Sequence, residues 1–261
     1  MLFRQLFDPE TCSYSYLLAD ERSREGVLID GVREQCERDV ALLRELEVRL
    51  LYTLETHVHA DHVTASGLLR EKLGSRVVVG AETGVENADA QLADGTGIRF
   101  GSHWLEARHT PGHTSGCVTY VCSDAGLAFT GDALLIRGCG RTDFQQGDPR
   151  RLFRSVRERI LSLPDDTRLF PAHDYRGFTV TTVGEEKRHN ARLGLARSEE
   201  EFVAIMGSLR LAHPKRMDEA VPANLRSGLG PEAAPRRTSV ATLVGEQVGR
   251  QDVEVAFGLG I

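Results

Sequence analysis

Short apolar runs, each closed by glycine or a polar residue, recur along the chain: YSYLLAD, GVLIDG, RLLYTLET, SRVVVG, CVTYVC, LAFTGD and TRLFPAHD. Runs of this length with these boundaries predict half-buried or buried strands. Helical patterns lie between them. REQCERDVALLREL places Cys36, Val40 and Leu43 on one stripe, and DPRRLFRSVRERILSLP opens with Asp148 as an N-cap and Pro149 in the first turn. SEEEFVAIMGSLRLAHP begins with Ser198 three residues before Glu201, the spacing of a capping box. It keeps Phe202, Ile205, Met206 and Leu209 on one face until Pro214. Strands interleaved with helices predict an α/β layered domain. From RSGLGPEAAPRR onward the chain turns to Gly, Pro, Ala and Arg, and no clear period follows. The expected organisation is therefore one principal domain over residues 1–228 and a C-terminal extension over 229–261, below the usual size of an independent domain.

Composition narrows the function classes. With 261 residues, 41% of them hydrophobic, the chain can fill one substantial core. The formal charge is −6 and no block of Lys or Arg stands out, which gives no footing for nucleic acid or an anionic membrane. Five cysteines, Cys12, Cys36, Cys117, Cys122 and Cys139, make an odd count without a CxxC pair, and they read as reduced thiols. Cys117 and Cys122 point to opposite faces of one strand, and Cys139, in a Gly-flexed loop, reads as a neutral buried thiol. The start MLFRQLFDPETCSY lacks a secretory pattern, and no apolar stretch approaches the ~18 residues of a membrane span. A cytoplasmic protein is expected.

Three of the strand-like runs end in a metal-ligand residue: RLLYTLET runs into His57, LAFTG into Asp132 and RLFPA into His173. Strand ends at one sheet edge converge in space, where α/β proteins place their sites. The Gly/Pro loop HTPGHTSG adds His109 and His113. His57, His59, Asp61 and His62 put four ligand-type residues into six positions with small or aliphatic spacers, which exceeds what capping requires and points to metal. Taken singly, His103, His109, His189 and His213 read as capping or surface residues, and Asp132 as a turn residue after Gly131.

THVHADH is similar to the THxHxDH signature of the metallo-β-lactamase fold, and His113, Asp132 and His173 follow in the order that fold requires. The resemblance implies a four-layer αββα sandwich of two mixed sheets flanked by helices. Most hydrolases of this fold hold two zinc ions, with His57, His59 and His113 on one, Asp61, His62 and His173 on the other, and Asp132 bridging. A narrower set of motifs, GCGRTDFQQGDP, PAHDYRGFTVTTVGEEKRHN, EEFVAIM and VPANLRSG, resembles the persulfide dioxygenases of the ethylmalonic encephalopathy protein family over most of residues 1 to about 228. That resemblance implies one iron(II) per chain, bound by His57, His113 and Asp132, with His59, Asp61, His62 and His173 around it. It also implies oxidation of glutathione persulfide with O2 to sulfite and glutathione, in a chain that pairs as a homodimer.

Substrate recognition needs local positive charge in an acidic protein. Arg141 is nominated for the glycyl carboxylate of glutathione, its alternative being a structural pair with Asp143. Tyr175 is nominated as a hydroxyl at the rim, while Arg188 and Asn224 are nominated on resemblance alone. Two other readings stay open at this point: a glyoxalase II-like hydroxyacylglutathione thioester hydrolase with a dinuclear site, and a non-catalytic metal-binding module.

Overall fold

The computed structural model describes residues 1–230. Among them, two six-stranded sheets stack face to face. The first runs β1 (Leu2–Asp8), β2 (Ser13–Ala19), β3 (Glu25–Ile29), β4 (Arg49–Leu54), β5 (Arg76–Gly80) and β6 (Ala90–Leu92) in chain order. The second holds β7 (Gly97–Phe100), β8 (His103–His109), β9 (Val118–Cys122), β10 (Leu127–Gly131), β11 (Arg168–Pro171) and β12 (Thr181–Thr182). Both sheets are mixed: β3 through β6 pair in parallel, as do β10 and β11, and the other pairings are antiparallel.

The packing explains the apolar runs. Tyr16, Leu18, Val27, Ile29 and Leu54 of the first sheet meet Leu105, Tyr120, Leu127, Phe129 and Phe170 of the second in one buried cluster. The opposite face of the first sheet, with Leu17 and Leu28, is covered by α1 (Cys36–Glu45) and α2 (Ser66–Leu73) through Cys36, Val40, Leu43 and Leu69. The outer face of the second sheet, with Val121, Ala128 and Leu169, lies under α3 (Pro149–Ser155), α4 (Val183–His189) and α5 (Glu199–Ser208) through Leu152, Val183, Phe202 and Met206. The expected αββα order is thus present. A last helix, α6 (Met217–Asn224), leads into residues 225–230, where Ser227 O accepts from Gly67 N in α2 at 2.8 Å. The expected extension lies, from residue 231 onward, outside the described residues.

Caps follow the sequence. Asp148 accepts from the amides of Arg150 and Arg151, and Ser198 forms the full capping box with Glu201. Two helices are shorter than their patterns. The helix that starts at Pro149 gives way to a single π turn at Val156–Ile160. α5 stops at Ser208 rather than at Pro214, because Leu209 adopts extended backbone after Gly207 and Ser208, two poor helix formers.

Candidate metal centre

The carboxyl ends of β3, β4, β10 and β11 and the loop after β8 meet at one edge of the two sheets. They deliver Asp30, the segment 55–62, Asp132, His173 and His113. Gly131 makes the approach possible: with φ at +55°, an added Cβ would lie 2.7 Å from Thr56 Oγ1, so a side chain there would push Asp132 off its station. Gly140 is equally confined, its added Cβ falling 2.8 Å from His113 Nδ1.

One donor atom each from His57, His113 and Asp132 lies within 4.8 Å of the other two. Each of these side chains is held on the side away from that group. Thr56 Oγ1 donates to Asp30 Oδ2 at 2.8 Å, so it accepts from His57 Nδ1 at 3.0 Å and leaves His57 Nε2 with the lone pair. His113 Nδ1 donates to the Arg141 carbonyl at 2.7 Å, which frees Nε2, 3.8 Å from Asp132 Oδ2. Asp132 Oδ1 accepts from His173 Nδ1 at 2.7 Å. The three therefore present two imidazole nitrogens and one carboxylate oxygen in the protonation state a metal requires. Burial and the neighbouring His59 hold the His57 pKa well below its ordinary value, which keeps that ring neutral.

The other four residues of the signature form an adjoining group. His173 Nε2 donates to Asp61 Oδ2 at 3.0 Å, so both of its ring nitrogens face carboxylates. Burial disfavours the charged ring, but Asp132 and Asp61 outweigh it and raise the His173 pKa well above the ordinary value. Asp61 Oδ2 also lies 2.8 Å from His62 Nδ1 and accepts from Ser13 Oγ at 3.2 Å. His59 Nε2 sits 3.2 Å from Asp30 Oδ1, and His59 Nδ1 and His62 Nε2 find no hydrogen-bond partner among the described residues although both side chains are buried. Orphaned buried nitrogens beside a two-histidine, one-carboxylate group fit a metal centre.

The nominated recognition residues fare differently. Tyr175 is 70% exposed and stacks on His173 with centroids 6.0 Å apart, at the rim of the cluster. Arg141 commits its fork to Asp143, at 2.7 and 2.8 Å, and its Nη1 donates to the Ala212 carbonyl at 2.7 Å. That is the structural pair given as its alternative. Arg188 lies beside Asp165, before the start of β11, whereas His173 follows its end; it is not brought to the cluster. Asn224 has no group to spare for substrate. It donates to the carbonyls of His59 at 2.9 Å and His62 at 2.8 Å, and accepts from Thr64 N at 2.8 Å, clasping the histidine loop by its backbone. Asn224→Ala leaves three buried backbone groups unpaired, so we expect a stability loss of about 3 kcal/mol, read as a lower urea midpoint, and weaker metal retention.

Sequence reasoning passed over Asp30, the partner of Thr56 and His59. Its signal was present, since GVLIDG is another apolar run that ends in a carboxylate. Cys139 is buried against Met206, and burial pushes its thiol up to about 11 despite the nearby Arg192, which keeps it inert at neutral pH.

A family model described as the metallo-beta-lactamase superfamily matches residues 11–173. The chain is 56% identical over 230 residues to the mitochondrial persulfide dioxygenase ETHE1 of Homo sapiens, covering 88% of this chain and 89% of that one. The crystal structure of ETHE1 from Myxococcus xanthus superposes with a TM-score of 0.85 at 48% identity, over 88% of this chain and 100% of that chain. A hydroxyacylglutathione hydrolase of Cereibacter sphaeroides is 37% identical over 165 residues, 62% of this chain and 63% of that one.

Proposed function

Because the chain belongs to the metallo-beta-lactamase superfamily and, within it, to the persulfide dioxygenases, we propose that it oxidises glutathione persulfide with O2 at a single iron(II) held by His57, His113 and Asp132. The observation that carries this reading is the restraint on those three side chains: Thr56, the Arg141 carbonyl and His173 each hold the atom that faces away from the metal. Two histidines and one carboxylate are the donor set of mononuclear iron oxygenases, and iron(II), when bound, supplies redox capacity and free positions beside them.

The balance of the reaction is R–S–SH + O2 + H2O → R–SH + SO3²⁻ + 2H⁺. The terminal sulfur is oxidised, O2 is reduced and the S–S bond breaks. The chain's own part is positioning. His173 keeps its protons on Asp132 Oδ1 and Asp61 Oδ2, which directs Asp132 Oδ2 toward His113. Membership among the persulfide dioxygenases is what supports one metal over the dinuclear hydrolase reading. Tyr175, exposed over His173, is the residue we retain for substrate contact; a glutathione carboxylate could reach the Arg141 fork only by displacing Asp143. The cytoplasmic setting belongs to the same proposal: the five cysteines are free, as in a reducing compartment, and among the described residues no helix is long and apolar enough to cross a membrane.

Oxygen-electrode kinetics on iron-loaded, zinc-free protein test the proposal, with sulfite assayed in the same sample and a glutathione thioester run in parallel. Oxygen uptake matched by sulfite, with the thioester untouched, is the expected result; thioester cleavage without oxygen uptake would overturn it. Asp61→Asn separates the two metal models. We expect iron to stay near one per chain, because Asp61 is not among its ligands; loss of that iron would place Asp61 on the metal.

A further inference from the structure

A second group of donors sits at the far pole of the second sheet. His103 opens β8, Cys122 closes β9, and Asp124 lies in the turn Ser123–Ala125 that follows. β8 runs from His103 to His109 before the chain reaches His113, so at ~3.3 Å per residue this group lies roughly 20 Å from the His57 cluster. His103 Nδ1 is 2.6 Å from Asp124 Oδ2, and Cys122 Sγ donates to Asp124 Oδ1 at 3.3 Å. One donor atom from each of the three falls within 4.8 Å of the other two. On the other side of the ring, His103 Nε2 faces Asp20 Oδ2 at 3.9 Å. Asp20 is fixed in turn by the amides of Arg22, Ser23 and Ser102 and by the Ser102 hydroxyl.

We propose that His103, Cys122 and Asp124 form a second metal site, independent of the iron centre, for a borderline divalent cation of zinc's class, with water completing the shell. One sulfur, one imidazole nitrogen and one carboxylate oxygen suit such an ion. Asp20, 3.9 Å from Nε2, is a nearby carboxylate whose charge favours the proton on Nε2 of a ligating imidazole and the lone pair on Nδ1. The sulfur lies on the inner side, since Cys122 is fully buried, while the exposed Asp124 leaves a path from solvent. Bonds of ~2.3 Å to sulfur and ~2.0 Å to nitrogen and oxygen set tetrahedral donors about 3.2–3.7 Å apart, so His103 Nδ1 and Asp124 Oδ2, now 2.6 Å apart, need to part by less than ~1 Å. Burial and the adjacent Asp124 push the thiol up to about 12, so the ion-free group holds a neutral Cys122. Loading forms the S–metal bond, breaks the S–H bond and releases that proton to solvent.

The test titrates the iron-loaded full chain with cobalt(II). The iron ligands include no sulfur, so a thiolate-to-cobalt charge-transfer band in the near ultraviolet reports this site alone. We expect the band to saturate at one cobalt per chain, to be displaced by zinc and to vanish in Cys122→Ser. In Asp124→Asn the cobalt Kd should rise at least ~10-fold. Iron content and persulfide-dependent oxygen uptake should not change in either variant. No band in the unsubstituted protein, or a band that survives Cys122→Ser, overturns the site. If Cys122→Ser fails to fold, Asp124→Asn at its exposed position decides, and an unaltered Kd there counts against the proposal.

Discussion

Asp132→Ala should leave the purified protein with almost no iron and lower persulfide-dependent oxygen uptake by roughly 1,000-fold or more, the equivalent of about 4 kcal/mol. Asp132 is the single carboxylate among the three donors, and its loss leaves two neutral imidazoles on a hard divalent ion. Burial alone would raise its pKa, but the charged His173 that donates to it outweighs that and holds it well below the usual carboxylate range. The side chain is therefore an anion at neutral pH. The same substitution removes one of the two acceptors of His173. Iron content by plasma emission, measured beside Asp61→Asn, gives the sharpest reading: the two carboxylates are both bonded to His173, and we expect only Asp132 to be needed for the metal. Iron retained at one per chain in Asp132→Ala would refute the ligand assignment.

Asp30→Asn should weaken iron binding by about 10–100-fold although Asp30 is not among the proposed ligands. In the native arrangement protons run outward from His57: Nδ1 donates to Thr56 Oγ1, and that hydroxyl donates to Asp30 Oδ2. Thr56 N donates to Oδ1, so an asparagine keeps its oxygen there and turns its NH2 toward the hydroxyl. The hydroxyl then accepts from the amide and donates to His57 Nδ1, which moves the His57 proton to Nε2, the nitrogen the metal needs. Iron affinity by chelator competition should fall, and imidazole NMR of the metal-free protein should show the altered tautomer. Asparagine tolerates the positive φ of residue 30, so the effect is not one of backbone strain.

The same variant changes the pH dependence of the metal-free protein. Burial opposes charge on His59, but Asp30, Asp61 and Glu55 raise its pKa to about 9. A raised folded-state pKa contributes stability that is complete below the unfolded value, near 6.5, and is lost as the pH climbs to about 9. The span corresponds to about 3 kcal/mol. Chemical denaturation between pH 6 and 10 should show this decline in the native sequence and a flatter profile in Asp30→Asn.

Two of the three proposed ligands, His57 and Asp132, were legible in the sequence as residues just beyond an apolar run, and His113 as part of the Gly/Pro loop HTPGHTSG. His57, Asp132 and His173 each stand within three residues of the end of a strand, and the period-two and run patterns that mark those strands are local. What the pattern could not carry was partnership over distance. Asn224 looked like a recognition residue because nothing local reveals that its amide spans the backbone of a loop 165 positions earlier. Arg141 could be weighed correctly, since Asp143 stands two residues away, but only coordinates decide between a local partner and a substrate. β8 escaped the strand reading because HWLEARH buries only Leu105 and Ala107 and shows its other positions to polar neighbours. The fold class was legible from runs and spacers; the restraint on each ligand was not, because Thr56, Asp30 and the Arg141 carbonyl are groups that every protein has in plenty.

The clasp at Asn224 also sets an order in time. The histidine loop is synthesised first, and its brace arrives 165 residues later. At translation speeds of about 5–20 residues per second, this leaves the loop without its clamp for on the order of ten to thirty seconds on each nascent chain. A chain terminated before residue 224 would therefore carry every proposed iron ligand and still lack the brace of the histidine loop.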